Sequence, residues 1–376
     1  MSMLPRDTLL PIELSDLRSG RWLRASESFR VALMIPLCGS AGIWAPSCIS
    51  SAQVAVAELN QQGGILGRKV QLIMIDAALE APEPVEAVIN DLIETQAIDA
   101  IVGMHISAIR QRLSKVVRQR IPYIYTPLYE GGETTAGLYT IGETPEEQLG
   151  PAMRLLQDQY SPRSWALIGN DYVWPRSSNS YAKTRLRDMG VQLAMEHYVP
   201  FGLRQADQLI EALDASAAEA VFLSLVGQDA VTFNRAFGRA EMHRKMIRLS
   251  CAMEENGLLA VGAHNLQRLF TVSSYFGVLP TEANSAFKER YHSMHGEHAP
   301  LLNAIGQSTY EGMQFLAGLM GGHHETWHLK GGRDPLPVLY QSGRHSGLQS
   351  ALSRKPIYLA RADGLQFRII KEFNNK

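Results

Sequence analysis

The chain has 376 residues, more than the ~100–200 of a usual single domain, so its length predicts at least two domains. Hydrophobic residues make up 45% and charged residues 19%, which is typical of a globular protein with a full core. The formal net charge is −1 and no basic stripe stands out, so nucleic acid is not expected as a partner.

The pattern of residues at the N-terminus and the length of the apolar runs predict where in the cell the protein is located. Residues 1–28 carry scattered charges and lack a basic start followed by an apolar run, so we interpret them as an N-terminal extension. No segment approaches ~18 uninterrupted apolar residues, and no membrane insertion is expected. The expected location is cytoplasmic, or periplasmic if a signal peptide has been removed. Cys38, Cys48 and Cys251 lack metal-site spacing. Cys38 and Cys48 could pair only if their loop brought them together, and free buried thiols are the main expectation.

The first part of the chain alternates short apolar runs with amphipathic stretches, which predicts strands alternating with helices. The predicted strands cover residues 29–37, 68–76, 100–103 and 122–127, and the predicted helices cover 48–60, 84–95 and 108–119. The small-residue run 39–44 is interpreted as a loop. A short strand at 139–144 precedes a helix that begins with a capping box of Thr144 and Glu147.

The same alternation begins again in the second half. Strands are predicted at 165–168, 220–225, 246–251 and 267–275, with another ending at 199–200, and helices at 181–188, 284–295 and 305–318. Residues 169–179 and 226–229 are predicted as exit loops, and the first of them ends in the helix caps Ser178 and Asn179. Such alternation predicts right-handed βαβ units and parallel sheets. The part after residue 321 is rich in Gly, Pro and His and is assigned no element.

Two repetitions of the βα pattern indicate two similar lobes. We expect lobe 1 to cover residues 29–143 and lobe 2 to cover 144–276, with 277–338 returning to lobe 1. The C-terminal segment 339–376 is expected mainly in lobe 2. Ligands of open α/β sheets bind beyond the carboxyl ends of the strands, so the exit loops are the candidate site.

Four segments carry a resemblance to a known family. The runs VGMHISAIR at 102–110, YTPLYEG at 125–131 and GNDYVWPRSSN at 169–179 resemble the short-chain amide and urea branch of type I periplasmic-binding-fold proteins. The run at 51–68 is similar to the broader branched-chain amino-acid-binding family. Within this group the likeness is closest to the cytoplasmic amide sensors that act as negative regulators of aliphatic amidase operons.

This resemblance implies two Rossmann-like lobes joined by a hinge of three crossings, with a small polar ligand in the cleft. The implied ligand is a short amide or urea, bound without cofactor or metal. In a sensor, an antitermination-type regulator protein would read closure of the lobes. In an ABC importer of amides, urea or amino acids, the partner would be a permease. A homodimer is a further expectation.

The candidate ligand-binding residues are His105, Ser107, Tyr125, Pro127, Tyr172, Trp174, Val226 and Tyr275. A small amide carries C=O and NH2 groups, and the Ser107 hydroxyl offers both a donor and an acceptor. Tyrosine and tryptophan supply flat walls with polar tips. His105 and Trp174 stand where amide-binding relatives have tyrosine. His105 is expected to change protonation near neutral pH and would favour a carboxylate or a differently shaped polar group.

Each candidate also has a purely structural interpretation. Ser107 would cap the third predicted helix, Tyr125 would fill the core, and His105 would be a satisfied buried histidine. The GSAG run at 39–42 lacks phosphate-loop spacing, and His323, His324 and His328 lack a carboxylate at metal spacing. Without a catalytic motif, an enzyme is not expected. A small-amide hydrolase built on Ser107 and His105 is the weakest of these hypotheses.

Overall fold

The computed structural model describes residues 28–81, 83–332 and 336–373. A sheet of five strands and a sheet of seven strands organise these residues, and a two-stranded ribbon lies apart from both. In this part of the chain no helix has the length and apolar character needed to cross a membrane. The predicted fold class, two α/β lobes with mostly parallel sheets, is confirmed.

The first lobe is built on five parallel strands. They are β1 Ser28–Ile35, β2 Lys69–Asp76, β3 Ala100–Gly103, β4 Tyr123–Tyr125 and β5 Leu138–Thr140, in the order β2-β1-β3-β4-β5. The helices are α1 Ala45–Gln61, α2 Val85–Glu94 and α3 Ser107–Val117, and a 3-10 helix covers Ser40–Trp44. β1 pairs with both β2 and β3, and its residues 31–35 are all buried. Its unbroken apolar run therefore suits a central strand.

The second lobe is built on a seven-stranded sheet in the order β14-β13-β10-β9-β8-β6-β7. Its parallel strands are β6 Ser164–Asn170, β7 Gln192–Val199, β8 Ala220–Ser224, β9 Ile247–Ser250 and β10 Leu269–Ser273. The helices are α4 Pro145–Tyr160, α5 Val173–Asp188, α6 Ala206–Ala215, α7 Gly227–Arg239 and α8 Glu255–Val261. The predicted capping box at the start of α4 is confirmed, since the Thr144 amide donates to Glu147 Oε2 at 2.8 Å.

The chain crosses between the lobes three times. The first crossing, 141–144, leads from β5 to α4, and the second, 274–281, leads from β10 to α9 Glu282–His295. α9 and then α10 Ala304–His323 pack on α1, and a salt bridge of 2.6 Å joins Arg290 Nε to Glu58 Oε1. The ribbon of β11 Leu339–Gln341 and β12 Leu348–Ser350 follows, and β11 packs against α10. The third crossing, 351–356, leads to β13 Ile357–Asp363 and β14 Gln366–Phe373, an antiparallel hairpin that extends the second sheet.

Several local predictions are wrong. Residues 169–179 are not a loop, because α5 begins at Val173 instead of 181. Pro175 lies in its first turn, where a missing N–H removes no intrahelical hydrogen bond. The predicted exit loop 226–229 is wrong for the same reason, since α7 begins at Gly227. Ser107 lies inside α3 as its first residue, and no side-chain capping bond accompanies it.

Other differences concern two segments to which the sequence assigned no regular structure and the C-terminal segment, which was assigned mainly to lobe 2. The run 39–44 forms the 3-10 helix, and the hairpin 357–373 was assigned no element. The C-terminal segment divides, because β11 packs on α10 while β13 and β14 join the second sheet. All three cysteines are free, but Cys38 is exposed, so the prediction of a buried thiol is wrong at that position.

Candidate functional site

A cavity of about 30 Å³ lies between the carboxyl ends of the two sheets. Both lobes contribute to its lining, which comprises Trp44, Met104, His105, Ile106, Ser107, Tyr125, Pro127, Leu128, Tyr172, Trp174, Val226, Ala252, Glu254 and Ile305. Seven of the eight predicted ligand-binding residues are therefore brought together, and Tyr275 is not among them. That these residues bind a ligand stays a prediction.

Four helices begin at this cavity. Ser107 is the first residue of α3, and Tyr172, Val226 and Glu254 are the N-cap residues of α5, α7 and α8. The first N–H groups of a helix lack partners within the helix and attract polar or negatively charged groups. A larger cavity of about 480 Å³ borders the first and third crossings. We place the candidate site in the smaller cavity because the strand ends and the helix starts of both lobes meet there.

The wall from lobe 1 is organised around Tyr125. The Tyr125 hydroxyl donates to the His105 carbonyl oxygen at 2.7 Å and lies 3.4 Å from Ser107 Oγ. Arg110 Nη1 donates to Ser107 Oγ at 3.4 Å, and its guanidinium carbon lies 5.0 Å from the centre of the Tyr125 ring. Arg110 is itself held by Glu130, at 2.7 Å. Ser107 is thus oriented by a buried cation and keeps its proton for Tyr125 or for a ligand.

Both ring nitrogens of His105 have hydrogen-bond partners within lobe 1. Its Nδ1 lies 3.2 Å from the Ile106 carbonyl oxygen, and its Nε2 lies 2.8 Å from the Tyr123 hydroxyl. Because a carbonyl only accepts, Nδ1 carries the proton and Nε2 accepts from Tyr123. Burial lowers the pKa of His105 to about 3. The expectation that His105 changes protonation near neutral pH is wrong. Both ring nitrogens have hydrogen-bond partners, as the interpretation of His105 as a structural buried histidine predicts.

The hydrolase hypothesis fails on the same geometry. A serine nucleophile needs a base within hydrogen-bond reach of its hydroxyl. Ser107 Oγ contacts Tyr125 and Arg110, whereas both His105 nitrogens are bonded to other groups. This Ser/His pair therefore does not form a catalytic dyad.

The wall from lobe 2 is aromatic. Tyr172 packs its ring against Trp174 and Phe201, with centroid distances of 6.3 and 5.3 Å. Tyr172 and Phe201 also contact an apolar cluster of lobe 1. Val226 is positioned by Asn170, whose Oδ1 accepts from the Val226 amide at 2.9 Å. Lobe 2 therefore brings flat apolar surfaces onto the polar wall formed by Ser107.

Seven of the residues that line the cavity were not predicted from the sequence, and two of these seven, Trp44 and Glu254, bond to each other. Trp44 Nε1 of lobe 1 donates to Glu254 Oε2 of lobe 2 at 2.7 Å, and this bond spans the cleft. Burial raises the pKa of Glu254 to about 8. The only sequence signal for Glu254 was its place three residues after the predicted strand 246–251. Trp44 was assigned only to the small-residue loop 39–44.

The lobes touch across the cleft at a second place. The Asn256 side chain donates to the Ile43 carbonyl oxygen at 2.9 Å. Gly227 at the start of α7 lies so close to lobe 1 that an added Cβ would be 1.9 Å from the Ser40 carbonyl oxygen. The arrangement of the two lobes is therefore closed.

Tyr275 lies away from the cavity, so its prediction as a cleft wall is wrong. β10 ends at Ser273, and the Tyr275 hydroxyl donates to Asn284 Oδ1 at 2.7 Å. Its ring lies 5.7 Å from the guanidinium carbon of Arg344, beside the second crossing. Tyr275 belongs to the hinge.

The histidines near the end of α10 do not form a metal site. His324 lies 3.6 Å from Glu325, and both side chains are mostly exposed. Within residues 28–81, 83–332 and 336–373, no group of three or more His, Cys, Asp or Glu residues is arranged to hold a metal ion.

Residues 28–322 match the family model described as periplasmic binding protein. The chain belongs to the periplasmic binding protein family. It is 21% identical over 204 residues to the leucine-, isoleucine-, valine-, threonine- and alanine-binding protein of Pseudomonas aeruginosa. It is 22% identical over 202 residues to a Leu/Ile/Val-binding protein of Rhizobium johnstonii. Each match covers 53% of this chain and 54% of the relative, so the chain spans about half the length of these curated relatives.

Solved structures of this family share the fold. A solute-binding protein of an ABC transporter from R. palustris, in complex with 4-hydroxybenzoate, aligns with a TM-score of 0.77 and 14% identity. That alignment covers 92% of this chain and 97% of the other. LivJ of Streptococcus pneumoniae, in complex with isoleucine, aligns with a TM-score of 0.73 and 13% identity over 91% and 99% of the two chains. These identities establish the fold alone. The family prediction is confirmed, and the narrower amide-sensor branch stays a prediction.

Proposed function

We propose that this protein binds a small polar solute bearing N–H groups in the cleft and closes its two lobes around it. The observation that supports this proposal is that Ser107 of lobe 1 and Glu254 of lobe 2 line the same cavity, together with aromatic side chains. Glu254 Oε2 accepts from Trp44 Nε1 at 2.7 Å, and the Glu254 carboxyl lines the same cavity as Ser107. Because its raised pKa keeps the Glu254 carboxyl protonated at neutral pH, its O–H would donate to a ligand carbonyl, and Ser107 would bind an N–H group at the opposite end of the ligand.

The volume of the cavity favours a very small ligand. One water needs roughly 10–15 Å³ of such space, so the ~30 Å³ of the cavity suits a molecule of a few heavy atoms. Urea and acetamide are of this size and carry both a carbonyl and N–H groups. A branched amino-acid side chain or a benzoate ring would fit only if Tyr172 or Trp174 moved. The proposed ligand class is therefore short amides and urea, with amino acids as the second class.

The proposed partner is the permease of an ABC importer. The relatives are named as amino-acid-binding proteins or solute-binding proteins of ABC transporters, which favours delivery over the regulatory role expected from the sequence. Delivery implies a periplasmic location, and these relatives give no support to the cytoplasmic one. Both roles share the same ligand-binding step, so that step is tested first.

A thermal-shift titration of the full chain tests the proposal. Acetamide, urea, leucine and benzoate are each added over a concentration series. A ligand at 100 times its Kd stabilises the folded state by about 2.7 kcal/mol, which raises the Tm of a chain of this size by roughly 3–4 °C. We expect that shift with acetamide or urea, and its loss in Tyr172→Ala.

The matched control is Tyr181→Ala, on the same helix but outside the cleft cavity. This variant is expected to keep the ligand-induced shift. An equal shift in the Tyr172→Ala variant, or no shift with any of the four compounds, would reject the proposed function.

A further inference from the structure

A cluster of buried charged groups joins the segments that connect the two lobes. Arg344, in the loop between β11 and β12, has a side chain that is 2% exposed. Glu143 lies on the first crossing and Glu311 on α10, with side chains 7% and 1% exposed. Lys355 lies on the third crossing, 3.1 Å from Glu311 Oε2. These four residues form what we call the Arg344 network, in which two cations balance two carboxylates.

The guanidinium of Arg344 reaches three parts of the chain at once. Its Nη1 pairs with Glu143 Oε1 at 3.1 Å, and its Nε lies 3.1 Å from Glu311 Oε1. Its Nη1 also donates to Ser274 Oγ on the second crossing, and its Nη2 donates to Ser308 Oγ on α10 at 2.6 Å. Arg344 therefore ties the first and second crossings to a helix of lobe 1.

Lys355 completes the connection to the third crossing. Its Nζ donates to the Ile141 carbonyl oxygen on the first crossing at 2.8 Å, in addition to its pair with Glu311. Burial acts to raise the pKa of Glu311, yet Arg344 and Lys355 hold it below its usual value. Glu311 is thus an ionised centre between the two cations, and every crossing has a bond to the network.

We propose that the Arg344 network sets the open–closed equilibrium of the lobes by holding the three crossings in their closed arrangement. Opening requires these short segments to change their backbone angles, since within the described residues they are the chain segments that run from one lobe to the other. Such a change moves Glu143 and Ser274 relative to Glu311 and Ser308 on α10. A buried charge that loses its partner is strongly disfavoured, so the network resists opening. Arg344 is a positioning residue, and this inference rests on the proposed closure around a ligand.

The test compares full-length variants by small-angle X-ray scattering without ligand, so it does not depend on the ligand's identity. Arg344→Met removes the guanidinium while keeping an unbranched side chain, and we expect a larger radius of gyration than in the wild type. Arg344→Lys retains a charge and is expected to restore part of the closed population. Lys355→Met perturbs the edge of the network and serves if Arg344→Met does not fold.

Arg248 supplies the matched control. It is fully buried and donates to Asn234 Oδ1 at 2.7 Å and to the carbonyl oxygens of Asn265 and Gln267 at 2.9 and 2.7 Å. All these groups lie in lobe 2, so Arg248→Met removes a buried arginine without touching a crossing. We expect its radius of gyration to equal that of the wild type.

Titration with acetamide provides a second readout. A tenfold smaller closed population weakens the apparent affinity about tenfold, and we expect this loss in Arg344→Met but not in Arg248→Met. Equal radii of gyration in the wild type, Arg344→Met and Lys355→Met would overturn the inference. Absence of acetamide binding in the wild type would count against the proposed ligand, and the scattering comparison would still decide the role of the network.

Discussion

Closure of the cleft depends on a glycine at the start of α7. Gly227 has φ +53° and faces lobe 1, so that the Cβ of Gly227→Ala would lie 1.9 Å from the Ser40 carbonyl oxygen. Carbon and oxygen atoms ordinarily approach to about 3.3 Å, and the lobes would have to separate by about 1.4 Å at this point. Overpacking of this kind costs about 1–3 kcal/mol. Because the clash exists only in the closed arrangement, we expect the affinity for ligand to fall about 5- to 150-fold.

The backbone strain of the same substitution needs its own control. A residue other than glycine in the left-handed region costs about 1–2 kcal/mol, and this cost is the same with the lobes open or closed. Gly190 has φ +68° and no neighbour within 4 Å of an added Cβ, so Gly190→Ala introduces the strain without the clash. Isothermal titration with acetamide should find weakened binding in Gly227→Ala only. If both variants bind like the wild type, the lobes do not close as described.

Three further expectations concern the cavity itself. Tyr172→Ala removes one aromatic wall, so we expect at least a tenfold loss of ligand affinity by titration with little change in circular dichroism; wild-type affinity would contradict the assignment. Since the pKa of Glu254 is raised from 4.5 to about 8, the folded chain keeps a proton there that the unfolded chain loses between pH 4.5 and 8. Stability therefore falls as the pH rises through this range, and Glu254→Gln should flatten the fall in Tm, whereas an unchanged profile would refute it. The pKa of His105 is lowered to about 3, so its imidazole should remain neutral in NMR spectra from pH 8 to pH 5, and a midpoint near pH 6.5 would contradict its bonding to Tyr123.

The parts of the site that lie on strand exits were predictable from the sequence. Apolar runs located the strands to within a few residues, and the ends of parallel strands meet at one edge of a sheet. Ser107, Tyr125 and Val226 were therefore placed at the cavity, although α3 begins one residue earlier than predicted and α7 was not predicted. The start of α5 was missed because Ser178 and Asn179 were interpreted as its caps, whereas the helix begins at Val173 and contains both of them.

Contacts between residues far apart in the sequence, and the burial of individual side chains, could not be predicted. Trp44 and Glu254 are 210 residues apart, and neither carries a local pattern that indicates their bond. Tyr275 was misplaced because β10 ends two residues earlier and the chain turns toward Asn284. The loss of His105 as a titrating group follows from burial, which a sequence motif does not reveal. Arg344 lies in a segment to which the sequence assigned no element.

The most direct test of the proposed ligand site is isothermal titration of acetamide and urea into the full chain, with Tyr172→Ala and Tyr181→Ala measured in parallel. Binding of either compound by the wild type and by Tyr181→Ala, with at least a tenfold loss in Tyr172→Ala, is the result that this account predicts. Absence of heat with both compounds, or equal affinity in all three proteins, would contradict it.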